Sequence, residues 1–188
     1  MGGGMSLIVP GLYVGGLFAA KSQLQLDTNN ITHLCSVIRQ KFEVPNRKQI
    51  VFEVDDSPSE DLSKHFENAC FFIHDARASG GHVLVHCACG VSRSVTIALA
   101  YLLVTTDLPL SMLVKAIRGA RHCACPNYGF MFNLLDPCFY RRCVLQRINY
   151  TSHGFLTNPY LITSPHLALV STKSFTNLAL QLFLGLLR

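Results

Sequence analysis

The chain has 188 residues, enough for one domain with a buried core and too few for two comfortable ones. Apolar residues make up 49% and aromatics 10%, which excludes a disordered chain, and a formal charge of +5 is too modest for the basic stripe of a nucleic-acid binder. The eight cysteines follow an opening, MGGGMSLIVPGLYVGG, without signal-peptide architecture, so they read as reduced thiols in a cytosolic protein, not as a secreted disulfide framework. In that compartment the Asn149-Tyr150-Thr151 sequon is expected to stay unmodified.

Along the chain, Leu7 to Val14, Ile31 to Val37 and Gln49 to Val54 are short apolar segments bounded by Gly, Asn and Pro, the pattern of strands. Leu62 to Ala78 carries Phe66, Ala69, Cys70 and Ile73 near helical spacing. His82 to His86, just after Gly80-Gly81, reads as a buried strand, and a helix is predicted at once from Ser92 to about Val104. Leu110 to Ile117 and Gly129 to about Leu145 suggest two more helices, with Pro126 restarting the chain between them. This alternation predicts a single α/β domain, a mixed central sheet flanked by helices, with a loop between the buried strand and its helix. The expected division is an N-terminal segment over residues 1–6, the domain over 7–147, and a divergent tail over 148–188. The tail ends in LALQLFLGLLR, which is apolar but about half as long as a membrane span requires, so packing on the body is favoured over a membrane or partner contact.

The loop carries the chemistry. In HVLVHCACGVSRSVTIALAY a strand ends at His86, five residues separate Cys87 from Arg93, and a helix follows. A helix start offers unpaired backbone N–H groups and the positive end of its dipole, so the backbone of Ala88, Cys89, Gly90, Val91, Ser92 and Arg93 is preset to hold an anion. Arg93 can close the ring because its planar fork makes two hydrogen bonds to phosphate oxygens. The same field favours the thiolate of Cys87, which is the nucleophilic form. Ser94 can donate a hydrogen bond to that sulfur when it leaves.

Taken singly, a cysteine at a strand end is usually a small core residue and a histidine before it a satisfied core histidine. Together with Gly90, Arg93 and Ser94 on a strand-loop-helix pattern, they make a specific signal. Cys87-x-Cys89 and Cys123-x-Cys125 could in principle clamp zinc, but structural zinc pairs usually have two to four intervening residues, and zinc gives Gly90, Arg93 and Ser94 no purpose.

With these residues the sequence resembles the dual-specificity protein phosphatases, whose loop is H-C-x-x-G-x-x-R-S. The likeness continues in Ala100-Tyr101-Leu102-Leu103, in Pro126-Asn127-Tyr128-Gly129-Phe130, in Pro10-Gly11-Leu12-Tyr13-Val14-Gly15 and in Ile31-Thr32-His33, and so covers roughly residues 5 to 145. It implies a small atypical member acting on phosphotyrosine and phosphoserine/threonine in proteins through a phosphocysteine intermediate, with no cofactor and no metal. It also implies a general acid on the loop Val54-Asp55-Asp56-Ser57-Pro58-Ser59, where the family pattern of an aspartate directly before Ser-Pro selects Asp56 over Asp55. A phosphate-binding scaffold without turnover would keep Arg93 and not need Cys87 or Asp56; all three are present.

The loop interior has no lysine, unlike inositol-lipid phosphatases of the same superfamily, so phosphorylated signalling proteins, including those of kinase cascades, are the expected partners. Met1-Gly2-Gly3-Gly4-Met5-Ser6 fits an N-myristoylation signal at Gly2 and is similar to the opening of the myristoylated subgroup related to the Jun-kinase-stimulating phosphatase. This implies a cytoplasmic protein partly held at the cytoplasmic face of the plasma membrane, with a second contact beside the single acyl chain. Cys89 and Cys125 stand where relatives commonly have alanine and asparagine. They and Cys123 are expected to be small buried side chains, in preference to redox partners of Cys87.

Overall fold

The computed structural model describes residues 3–40, 42–106, 108–136 and 139. Gly2, most of the predicted helix beyond Leu134 and the whole 148–188 tail therefore lie outside the described residues.

The strand predicted over Leu7 to Val14 is two strands. The Pro10-Gly11 pair reverses the chain, so β1 (Ser6–Val9) and β2 (Leu12–Gly15) form an antiparallel hairpin. Two short helices missing from the sequence reading follow, α1 (Leu17–Lys21) and α2 (Gln23–Thr28), the second opened by Ser22, whose side chain accepts from the Gln25 N–H. They are too short to show a helical period in sequence. β3 (Ile31–Val37) has the predicted bounds, and β4 (Lys48–Phe52) begins and ends slightly before its prediction. A single 3-10 turn (Ser63–His65) precedes α3 (Phe66–Ala78). Then come β5 (His82–His86), α4 (Arg93–Thr105), α5 (Leu110–Ala120) and α6 (Tyr128–Leu134).

The five strands lie in the order β1-β2-β5-β3-β4, with β2, β5, β3 and β4 mutually parallel. The sheet is thus mixed, as expected, and β5 is its central strand. Side-chain alternation then builds two cores. Cys35, Val37, Val83 and Val85 face the larger core with α3, α4, α5 and α6, while Leu34 and Leu84 face a smaller one with Ala20, Leu26 and Ile31. Every residue of α4 from Ser94 to Leu102 is buried, so this helix is the hub of the larger layer. A loop joining the central strand to the most buried helix is anchored rigidly at both ends, and it opens at the carboxyl ends of the parallel strands, where α/β sheets place ligands. No helix among the described residues is long and apolar enough to cross a membrane.

Candidate active site

The site starts from register. Ser36 on β3 lies opposite His86 on β5, and both point away from the larger core, so Ser36 Oγ and His86 Nε2 meet at 2.7 Å. His86 is fully buried, and burial pushes its imidazole down to about 4, so it is neutral at neutral pH. It serves as a structural pin under the loop, with the nucleophile candidate following it directly.

From Ala88 to Ser92, each carbonyl is bound on the outside of the loop. Ala88 O accepts from the Leu17 N–H at 2.9 Å, Cys89 O and Gly90 O from the Arg121 guanidinium at 3.3 and 2.6 Å, and Val91 O from the Cys125 N–H at 2.8 Å. Ser92 O takes both the Thr96 N–H and Thr96 Oγ1, each at 2.9 Å. With the carbonyls turned out, the N–H edge of these peptides is left to the inner face, where the Gly90 N–H meets Cys87, a nest suited to an anion that continues into the start of α4. Gly90 is at φ +70, and a Cβ there would meet Gly15 O at 2.5 Å and Arg121 Nη2 at 2.6 Å, so no other residue fits.

Cys87 lies beneath this nest, 1% exposed. Its Sγ accepts the Gly90 N–H at 3.2 Å and is 3.3 Å from Ser94 Oγ, itself fully buried. Both groups are able to donate a hydrogen bond to the sulfur. Arg93 places Nη1 on Val54 O at 3.0 Å, and its Nε is buried without a hydrogen-bond partner, 3.6 Å from Asp56 Oδ2. A buried, under-satisfied guanidinium N–H beside an anion nest is what an arriving phosphoryl oxygen would complete.

The two aspartates diverge. Asp56 Oδ1 accepts from Ser92 Oγ at 2.6 Å and from Asn127 Nδ2 at 2.9 Å, so Asp56 faces the loop. Asp55 pairs with Arg39 at 2.6 Å, well exposed. Asn127 also caps α6, with Oδ1 accepting the Phe130 N–H at 3.0 Å, while its own N–H donates to Ser92 Oγ at 3.1 Å. Two residues later Gly129 lies under the acid loop so closely that a Cβ would stand 2.0 Å from Pro58 O. α6 therefore holds both the acid loop and the nucleophile loop.

The structure thus brings together Cys87, Ala88 to Arg93, Ser94 and Asp56 as the sequence suggested. Asn127 enters the sequence reading only within the Pro126-to-Phe130 likeness, without a role, and Ser36 and Arg121 do not enter it as site residues. Asn127 had a readable signal, an N-cap residue before a helix, but Arg121 and Ser36 are recognisable only once the loop's outer face and the strand register are known. The expected burial of Cys89, Cys123 and Cys125 is not met: all three are exposed free thiols, on the loops that follow β5 and α5.

The family described as dual specificity phosphatase, catalytic domain, matches residues 12–137. The chain is similar to dual specificity protein phosphatase 22 of Xenopus tropicalis, 40% identical over 163 residues that cover 85% of this chain and 76% of the relative. It is also similar to dual specificity protein phosphatase 22 of Homo sapiens, 42% identical over 139 residues that cover 72% of this chain and 74% of the relative. The crystal structure of DUSP15 superposes with a TM-score of 0.71 at 35% identity, covering 76% of this chain and 96% of that one. A strand-loop-helix nest over a buried cysteine, an aspartate held across it, and this likeness over most of the chain lead to one conclusion: the chain belongs to the dual specificity phosphatases and is a protein phosphatase.

Proposed function

We propose that Cys87 is the nucleophile and Asp56 the general acid in hydrolysis of phosphotyrosine and phosphoserine/threonine in proteins. The supporting observation is the Ser92–Asp56 hydrogen bond of 2.6 Å, which holds one carboxylate of the Asp55-Asp56 pair against the nucleophile loop. In the first step Cys87 Sγ bonds to phosphorus as the ester P–O bond breaks, and Asp56 gives its proton to the departing oxygen. In the second, water attacks the phosphocysteine, Asp56 takes the water's proton, and Ser94 Oγ donates to the leaving sulfur. Arg93 and the inward N–H groups of residues 88–93 carry the charge on the transferring phosphoryl group in both steps.

Partners on this reading are phosphorylated signalling proteins, including members of kinase cascades, since the loop interior offers no lysine for a polyphosphorylated lipid headgroup. N-myristoylation of Gly2 gives a membrane contact and a location in the cytoplasm, partly at the plasma membrane. The test is turnover of an aryl phosphate and of matched phosphotyrosine and phosphothreonine peptides by wild type, Cys87→Ser and Asp56→Ala. Loss in both variants supports the assignment, and full activity in Cys87→Ser overturns it. Intact mass after expression in a eukaryotic cell reads the acyl group on Gly2.

A further inference from the structure

Arg121 closes α5 and is 5% exposed. Its guanidinium binds four oxygens: Gly90 O at 2.6 Å, Cys89 O at 3.3 Å, Gly4 O at 3.2 Å and Ser6 Oγ at 3.3 Å. Among the described residues no carboxylate pairs with it. A buried cation with only neutral acceptors is costly and acts on its surroundings through a low dielectric. Here those surroundings are the outer side of the phosphate nest. The Cys89 carbonyl belongs to the same peptide as the Gly90 N–H, which donates to Cys87 Sγ at 3.2 Å. The Gly90 carbonyl belongs to the same peptide as the Val91 N–H. By gripping these two carbonyls, Arg121 sets the direction of two N–H groups on the inner face, one of them on the sulfur itself.

The other half of the guanidinium is held by the N-terminal segment. That segment is itself fastened, because Gln25 Nε2 donates to Gly3 O at 3.1 Å and the Met5 N–H donates to Gln25 Oε1 at 3.3 Å. Two of the four Arg121 hydrogen bonds therefore depend on residues 4 and 6 staying in place.

We propose that Arg121 is a positioning residue for phosphoryl transfer, and that through it the shape of the Cys87–Arg93 loop depends on the seating of residues 3–6. The N-terminal segment is then a tether acting on the loop from behind: holding it seated keeps the nest formed, and pulling it away loosens the peptides that face phosphorus. This rests on the assignment of the loop as the phosphate site.

The experiment uses the full chain with Arg121→Gln, Arg121→Lys, Ser6→Ala, a deletion of residues 2–5, and that deletion combined with Arg121→Gln. For each, kcat and KM on an aryl phosphate, competitive inhibition by inorganic phosphate, and the folded fraction by circular dichroism are measured. Arg121→Gln is expected to lower kcat and to weaken phosphate inhibition by about tenfold each in folded protein, the scale of one charge-assisted hydrogen bond. Arg121→Lys, which keeps the charge and loses the fork, should fall between it and wild type. The deletion should cost roughly threefold to tenfold alone and almost nothing more beside Arg121→Gln. If Arg121→Gln does not fold, Ser6→Ala and the deletion decide, since both must lower kcat and phosphate affinity. Folded Arg121→Gln with wild-type constants, a deletion without effect, or losses that simply multiply would each overturn the coupling. Wild-type protein that phosphate does not inhibit would instead overturn the phosphate site beneath it.

Discussion

Asp55 and Asp56 are neighbours in sequence and face different partners, Asp56 toward Ser92 at 2.6 Å and Asp55 toward Arg39 at 2.6 Å. Their carboxylates are held on different sides of the loop, so only Asp56 meets the Cys87–Arg93 loop. Asp56→Ala is expected to lower kcat/KM, which reports the first step, by about 10²- to 10⁴-fold on substrates with poor leaving groups and far less on those with good ones. Asp55→Ala removes an exposed ion pair worth about 0–1 kcal/mol and should leave turnover within roughly twofold of wild type. Steady-state kinetics on an aryl and an alkyl phosphate decide; a larger loss in Asp55→Ala reverses the assignment.

Gly129 is where α6 meets the acid loop. A Cβ there would stand 2.0 Å from Pro58 O and 2.7 Å from Pro58 Cα, and a backbone wall cannot yield as a flexible side chain would. Gly129→Ala should push the acid loop outward at a stability cost of about 1–3 kcal/mol. Its kinetic signature is a weaker version of Asp56→Ala, with the loss concentrated on poor leaving groups. Equal losses on both substrate types would show that α6 does not position the acid.

Ser92 links the same two loops, donating to Asp56 Oδ1 at 2.6 Å and accepting the Asn127 N–H at 3.1 Å. Ser92→Ala leaves the half-buried Asn127 N–H without that acceptor and the carboxylate with one donor fewer. We expect about a tenfold fall in kcat with little change in KM, and a non-additive double variant with Asn127→Ala. Strictly additive effects would contradict a shared network.

His86 gives a pH signature. Burial lowers its folded-state value to about 4 from 6.5. Below about 6.5 the unfolded chain takes up a proton that the folded chain refuses until about 4, so this residue lowers stability as pH falls through that window and is neutral in effect above it. The loss it causes should be on the order of 2 kcal/mol at pH 5. Chemical denaturation of wild type and His86→Gln at pH 7.5 and 5 measures it. The variant should show the smaller pH dependence, and equal slopes would contradict the assignment.

Much of this was legible in the sequence. β3 and β5 have the predicted bounds, because a short apolar run between turn residues can pack as little else than a strand. The loop was readable because nucleophile, glycine, arginine and serine all lie within one stretch of chain. The site residues that escaped depend on contacts far apart in sequence. Ser36 reaches His86 only through strand register, and Arg121 reaches Gly4 and Gly90 only after three elements meet. The Leu7 to Val14 segment reads as one strand because hydrophobic pattern does not reveal that Pro10-Gly11 turns the chain back on itself. Helices α1 and α2 are shorter than the window over which a helical period can be seen.

On the proposed mechanism, phosphate passes through Cys87 with Asp56 as acid and base. The most direct measurement is acid quench of Asp56→Ala during turnover of a good-leaving-group aryl phosphate, followed by peptide mass mapping. Slow hydrolysis without the base should leave one phosphoryl group on the peptide containing Cys87, and Cys87→Ser should carry none. A phosphoryl group on another residue, or undiminished turnover by Cys87→Ser, would contradict the account.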